Sequence, residues 1–300
     1  MQFSINKPYN MQKLFLVFFV SILVLSGCRT PVREANDRRE IFMNYTEWTE
    51  SVALSYLAAS LLEDRLDYEV VMKLTNIDTA FMEVASGEAD VFADTWVPYT
   101  HLSFMELHKD QFEDLGPNYR KASTGLVVPD YMQAESINDL TDMYRRAIIG
   151  IDITSGIMQN TIRAIEAYGL DNELRDLTDA EMSEIVENAI KRREDIVFTG
   201  WEPHWLFYRY NLRYLDDPLN VFPEDEQIHT IGRKGFSKDH PRAAVFFERM
   251  VLTEDQINEL LYEVGLARDP VEGVREWIMK NEFVVNQWVR GLRPEREKIM

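Results

Sequence analysis

Residues 68–96 read YEVVMKLTNIDTAFMEVASGEADVFADTW. Tyr68 to Leu74 alternates apolar and polar side chains, the period of a strand with one buried face. Asp78 stands where a helix cap belongs, and Gly87 after Ser86 is the usual left-handed stop. Ala89 to Phe92 is a second apolar run, short enough for a buried strand. Strands alternating with helices in this way build parallel sheets covered on both faces.

The same rhythm continues on either side. Upstream, Ile41 to Met43 reads as a short buried strand and Val52 to Leu62 carries helical spacing. Downstream, Leu126 to Val128, Ala147 to Ile151 and Asp195 to Phe198 are further strands. Ser155 can cap a helix with Ile162 and Ile165 inward, ended by Gly169. Thr178 and Glu181 make a capping box for a helix whose apolar stripe runs from Met182 to Ile190. From His240 onward the chain reads helical, over Ala243–Val251, Glu254–Val264 and Val271–Val289. No internal repeat is present. The chain divides most naturally near Tyr119–Ser123 and Gln227–Gly235. One lobe then takes residues 40–122 with 232–300, the other takes 123–231, and two crossing strands form a hinge.

Composition narrows the function. Hydrophobic residues make up 46% of the chain against 28% charged, which is enough apolar surface to bury a core. A net charge of −19 argues against gripping nucleic acid through its phosphates. One cysteine excludes a disulfide framework and a multi-thiolate metal site, and five scattered histidines leave no metal or cofactor to expect.

The first 27 residues read as a signal peptide. Lys7 and Lys13 precede an apolar run from Leu14 to Leu25, too short to span a bilayer comfortably but suited to a signal-peptide core. Leu25-Ser26-Gly27-Cys28 resembles a bacterial lipobox, in which Cys28 is acylated and becomes the mature N-terminus. Residues 28–39 then form a polar tether. The expected product is a globule anchored by lipid on the periplasmic or outer cell-surface side of a membrane.

The positions of three tryptophans point to a ligand. Trp48, Trp96 and Trp201 each follow a predicted strand, and ligands of open α/β sheets bind beyond the carboxyl ends of the strands. Any one of them could be a core residue or a loop anchor. Together they offer the aromatic faces that hold a cation. Trp277 and Trp288, within predicted helices, read as packing residues, and Trp205 as packing or support for Trp201. A fourth strand end leads into Thr154-Ser155-Gly156-Ile157-Met158, where a helix begins. Its free amides and positive dipole end suit an anion, and Gly156 lets a ligand come close to the backbone. A cation box facing such a helix end describes a zwitterion with a bulky, poorly hydrated cation and a carboxylate.

The motifs GEADVFADTWVPYTH (87–101), DLGPN (114–118), GLVVPDYM (125–132) and TGWEPHWLF (199–207) resemble the glycine betaine/proline betaine substrate-binding proteins of ABC transporters. LDDP (215–218), IHTI (228–231) and RKG (233–235) fit as well. The likeness runs from about residue 40 to about 290. It implies a two-lobe periplasmic-binding-protein fold, type II-like, with a mainly parallel sheet flanked by helices in each lobe. It also implies a trimethylammonium cage of Trp48, Trp96 and Trp201, and a carboxylate held by the amides of Gly156 and Ile157 and by His101. The partners implied are glycine betaine or a similar betaine and an ABC permease. Asp94 and Glu202, beside two of the tryptophans, read as solvated rim positions, with attraction of the cation as the lesser alternative.

A quaternary ammonium has no N–H to donate, so aromatic faces must hold it. Three cation–π contacts supply about 1.5–6 kcal/mol, short of the ~8 kcal/mol of a micromolar site. Charge-assisted bonds to the carboxylate, about 1.5–3 kcal/mol each, make up the difference. Choline or carnitine is the alternative ligand, and choline, lacking a carboxylate, would leave His101 and Gly156 unused. A sensory protein could use the same cage. An enzyme fits poorly, since no histidine pair has metal-ligand spacing and no nucleophile elbow is present.

Overall fold

The computed structural model describes residues 39–293. The expected signal peptide, the acylated Cys28 and all but the last residue of the tether lie outside them. Among the described residues no helix is long and apolar enough to cross a membrane.

Nine strands run through the described residues. They are β1 (Glu40–Tyr45), β2 (Glu69–Leu74), β3 (Val91–Val97), β4 (Phe112–Pro129), β5 (Ile148–Ile149), β6 (Leu174–Arg175), β7 (Phe198–Glu202), β8 (Leu212–Tyr214) and β9 (Glu226–Arg233). Their order is β2-β1-β3-β9-β4-β7-β5-β6, with β8 also paired to β4. The outer strands are parallel, as the crossover helices require: β1 with β2 and β3, and β5 with β6 and β7. The central strands are not. β9 runs antiparallel to β3 and β4, and β4 runs antiparallel to β7 and β8. The sheet is therefore mixed rather than mainly parallel. The cause is β4, whose 18 residues pair with β9 over Phe112–Ala122 and with β7 and β8 over Ser123–Pro129. A strand that continues from one half of the sheet into the other has its direction set before it arrives.

The helices follow the local signals, with instructive differences. The helix Ile77–Ser86 is capped by Asn76, whose side chain accepts from the Thr79 amide, and not by Asp78. Gly87 ends it in the left-handed conformation, φ 81°. Thr178 and Glu181 close their capping box at the start of the helix Asp179–Arg192. In the helix Gly156–Tyr168 the buried face is Ile157, Met158, Thr161 and Ala164. Ile162 is 40% exposed because five residues from Ile157 turns it to the opposite side, while Ile165 is half-buried. The expected helix Val271–Val289 is two helices, Pro270–Lys280 and Glu282–Trp288. Asn281 divides them, donating from its side chain to the Trp277 carbonyl and to Glu259. Trp277 and Trp288 pack on each other across the break, centroids 6.1 Å apart, as structural residues.

Candidate functional site

β1 ends at Tyr45, and Trp48 is the residue that precedes the helix Thr49–Leu66. Trp96 and Trp201 lie inside their strands rather than after them, each next to last in β3 and β7. The strands outrun their apolar cores because partners carry them further: Trp96 pairs with Ile228 of β9 and Trp201 with Thr124 of β4. All three indoles are buried, and they meet in one cavity of about 30 Å3. His101, Gly156 and Ile157 line the same cavity, so the six residues expected at the site are brought together. Glu50, Thr100, Thr124 and Ser155 complete its wall, and sequence reasoning assigned none of them to a ligand. A wider groove of about 1010 Å3 shares Thr100 and Gly156 with the lining of the cavity.

Two carboxylates fix two of the indoles. Trp96 Nε1 donates to Asp94 Oδ1 at 2.9 Å, and Trp201 Nε1 donates to Glu50 Oε2 at 2.7 Å. With the indole N–H groups satisfied, the rings have only carbon surface left to offer a ligand. Asp94 is fully buried, so the solvated rim position expected for it is wrong. The strand period of two puts Asp94 and Trp96 on one face, and that spacing was the available signal. Glu202 is half-buried beside Ser123 and Tyr214 and takes no part in lining the cavity.

Burial pushes Asp94 up to about 8. Burial, then the charge of Asp94, pushes Glu50 well above the usual carboxylate range. The pair thus resists carrying two bare charges in an empty site, whereas a cation in the cavity favours their ionised forms.

His101 supplies the opposite chemistry. Its Nδ1 accepts from the Trp96 amide at 3.0 Å, which leaves the ring proton on Nε2. Burial lowers its pKa to about 3, so the ring is a neutral donor. It lies flat against Trp48, centroids 6.4 Å apart, and edge-on to Phe81. Ser155 occupies the cap position of its helix, yet its hydroxyl makes no capping bond. Ser155 Oγ and Thr124 Oγ1 are buried without a hydrogen-bond partner in the cavity wall. The first-turn amides of Gly156 and Ile157 have no acceptor within their helix. Both hydroxyls are therefore free to hydrogen-bond a group that enters the cavity.

Gly156 has a reason beyond the ligand. A Cβ there would stand 2.4 Å from Thr100 Cγ2 and 2.7 Å from the Thr100 carbonyl oxygen. The buried Glu226 holds Thr100 in place, accepting from its amide at 2.7 Å and its hydroxyl at 2.5 Å. Backbone from the two halves of the sheet therefore touches at this glycine. Trp205, by contrast, stacks on His204 and lines a neighbouring groove instead of the cavity. Among the described residues no group of His, Cys, Asp or Glu is placed to hold a metal.

A mixed sheet divided by one long shared strand, with a cavity at the strand ends, is the architecture of two-lobe periplasmic binding proteins. Lactococcal OpuAC, solved closed with glycine betaine, superposes with a TM-score of 0.79 at 30% identity, covering 84% of this chain and 100% of that one. The glycine/betaine/L-proline-binding protein ProX from Borrelia burgdorferi gives 0.78 at 28% identity, with 87% and 98% covered. The chain belongs to the family described as the substrate binding domain of ABC-type glycine betaine transport systems, whose model matches residues 39–280. This is a family of binding domains, not of enzymes. A curated relative, the glycine betaine/carnitine transport binding protein GbuC of Listeria monocytogenes serotype 1/2a (strain 10403S), is 36% identical over 174 residues. That match spans 57% of each chain.

Proposed function

We propose that this protein binds glycine betaine, or a closely related quaternary-ammonium zwitterion, and delivers it to an ABC permease. The observation that carries the reading is the cavity itself, where three indoles face a neutral imidazole, two free hydroxyls and a helix N-terminus. Trp48, Trp96 and Trp201 enclose the trimethylammonium group, with Glu50 and Asp94 behind the rings as its counter-charges. His101 Nε2, Ser155 Oγ and the amides of Gly156 and Ile157 take the carboxylate. Residues 40–122 with 232–300 and residues 123–231 act as the two lobes, with β4 and β9 as the strands along which they move. A ligand held from both sides favours the closed form, and closure is the signal a permease can recognise.

Calorimetric titration with glycine betaine and with choline tests the reading. Glycine betaine is expected to bind in the micromolar range. His101→Ala removes one donor to a carboxylate, about 1.5–3 kcal/mol, and is expected to weaken betaine about 10–100-fold while leaving choline nearly unchanged. With a pKa of about 3, His101 produces no step in betaine affinity between pH 5 and 8. Below that range its protonation would break the bond to the Trp96 amide. Binding of choline alone would remove the roles given to His101 and Gly156.

Lipid attachment at Cys28 belongs to the same proposal and places the protein outside the cytoplasm, held to the membrane. The mass of the mature N-terminus decides it. A diacylated Cys28 is expected, and an unmodified chain retaining residues 1–27 would overturn it.

A further inference from the structure

The helix that carries Trp48 at its start has no cap of its own, since the Trp48 side chain makes no capping bond. Its first amide is satisfied from the far half of the fold. Thr49 N donates to Asp179 Oδ2 at 3.0 Å, and Thr49 Oγ1 donates to the same oxygen at 2.7 Å. The other oxygen of Asp179 serves its own side: Oδ1 accepts from Ser183 Oγ at 3.1 Å and faces His204 Nε2 at 3.0 Å. His204 is held in turn, its Nδ1 accepting from the Leu206 amide, and its ring packs edge-on against Trp201 with centroids 4.5 Å apart. Asp179 and His204 are both buried, with no more than 5% of either exposed.

We propose that Asp179 is a positioning residue that joins the Trp48 wall of the cage to the Trp201 wall when the two halves close. The assignment rests on the cage reading above and adds to it a latch that touches no ligand. One carboxylate oxygen is committed to each side, so the bond network is complete only in the closed arrangement. Opening strips the cap from the Trp48 helix and leaves Thr49 to water. The latch therefore acts on how long the closed form lasts, and the chemistry of the ligand does not enter.

The test uses the full chain and two readouts. The first is the dissociation rate of glycine betaine, followed by tryptophan fluorescence. The second is amide hydrogen exchange at Thr49, with the amides of Leu57 to Leu62 as an internal check of folding. Asp179→Ala is expected to release glycine betaine at least about tenfold faster, as fits the loss of charged hydrogen bonds across the closure, with association changed by less than about threefold. Thr49 exchange is expected to rise while the helix interior stays protected. Thr49→Ala removes only the hydroxyl bond, keeps the amide bond, and is expected to give a smaller acceleration of release. Asp179→Asn keeps one acceptor oxygen and falls between wild type and Asp179→Ala. Wild-type release rates, or an unchanged Thr49 amide, in a folded Asp179→Ala protein would overturn the latch. If wild type binds no glycine betaine, the ligand reading fails by itself, and exchange at Thr49 still decides on Asp179.

Discussion

Trp201→Ala is expected to weaken glycine betaine binding by about 10²–10³-fold, the largest effect of any single truncation in the cage. Two losses combine. On the proposed cage, the indole face provides a desolvated cation–π contact of about 0.5–2 kcal/mol. Its N–H also donates to Glu50 from the opposite half of the sheet, at 2.7 Å. A hydrogen bond to a carboxylate is worth about 1.5–3 kcal/mol, and its removal leaves a buried acid without its donor. At about 1.4 kcal/mol per tenfold, the stated range corresponds to about 3–4 kcal/mol, inside the roughly 2–5 kcal/mol that the two losses span together. Trp201→Phe keeps an aromatic face and loses only the N–H, so it should recover part of the affinity. Trp205→Ala, which removes a half-buried ring outside the cavity, should stay within a few-fold of wild type. Titration calorimetry on the three variants checks the ordering. A Trp201→Ala protein that binds within about fivefold of wild type would remove Trp201 from the cage.

Gly156→Ala is expected to weaken glycine betaine and choline alike, by about 10–100-fold, while the folded state of each half is unaffected. The added methyl would meet Thr100 Cγ2 at 2.4 Å and the Thr100 carbonyl oxygen at 2.7 Å. Thr100 cannot retreat, because Glu226 holds both its amide and its hydroxyl. Overpacking of this kind costs about 1–3 kcal/mol, and in the proposed two-lobe closure the cost falls on the closed form, since Gly156 and Thr100 belong to different lobes. The variant separates two roles. A glycine needed only for a carboxylate would affect betaine and spare choline, whereas one needed for closure affects both. Small-angle scattering with saturating ligand should show a larger radius of gyration in Gly156→Ala than in wild type. Adding Thr100→Ser, which removes Cγ2 and keeps the hydroxyl for Glu226, should restore part of the binding. Equal affinity and equal compactness in Gly156→Ala and wild type would refute the closure role.

Much of this molecule was legible in the chain. The strand–helix–strand reading of residues 68–96 holds in β2, the helix Ile77–Ser86 and β3, because local periodicity and a glycine stop act within one element. The Thr178–Glu181 capping box holds for the same reason. The six residues expected around a ligand line one cavity. What failed depended on neighbours distant in sequence. The central strands are antiparallel because β4 passes from one half of the sheet to the other, and no local pattern records a strand's later partners. Asp94 looked like a rim acid because a charge beside an aromatic is usually solvated. Only the assembled sheet shows it buried and bound to the Trp96 indole. Glu50 and Trp201 are 151 positions apart, as Asp179 and Thr49 are 130 apart, and their spacing carries no mark of contact. The sequence by itself determined the element types and the side-chain chemistry of the residues that line the cavity, because both depend on side-chain identity at short range. Tertiary structure alone decided which carboxylates bond to the Trp201 indole and to the helix behind Trp48, because these bonds join residues far apart in the chain.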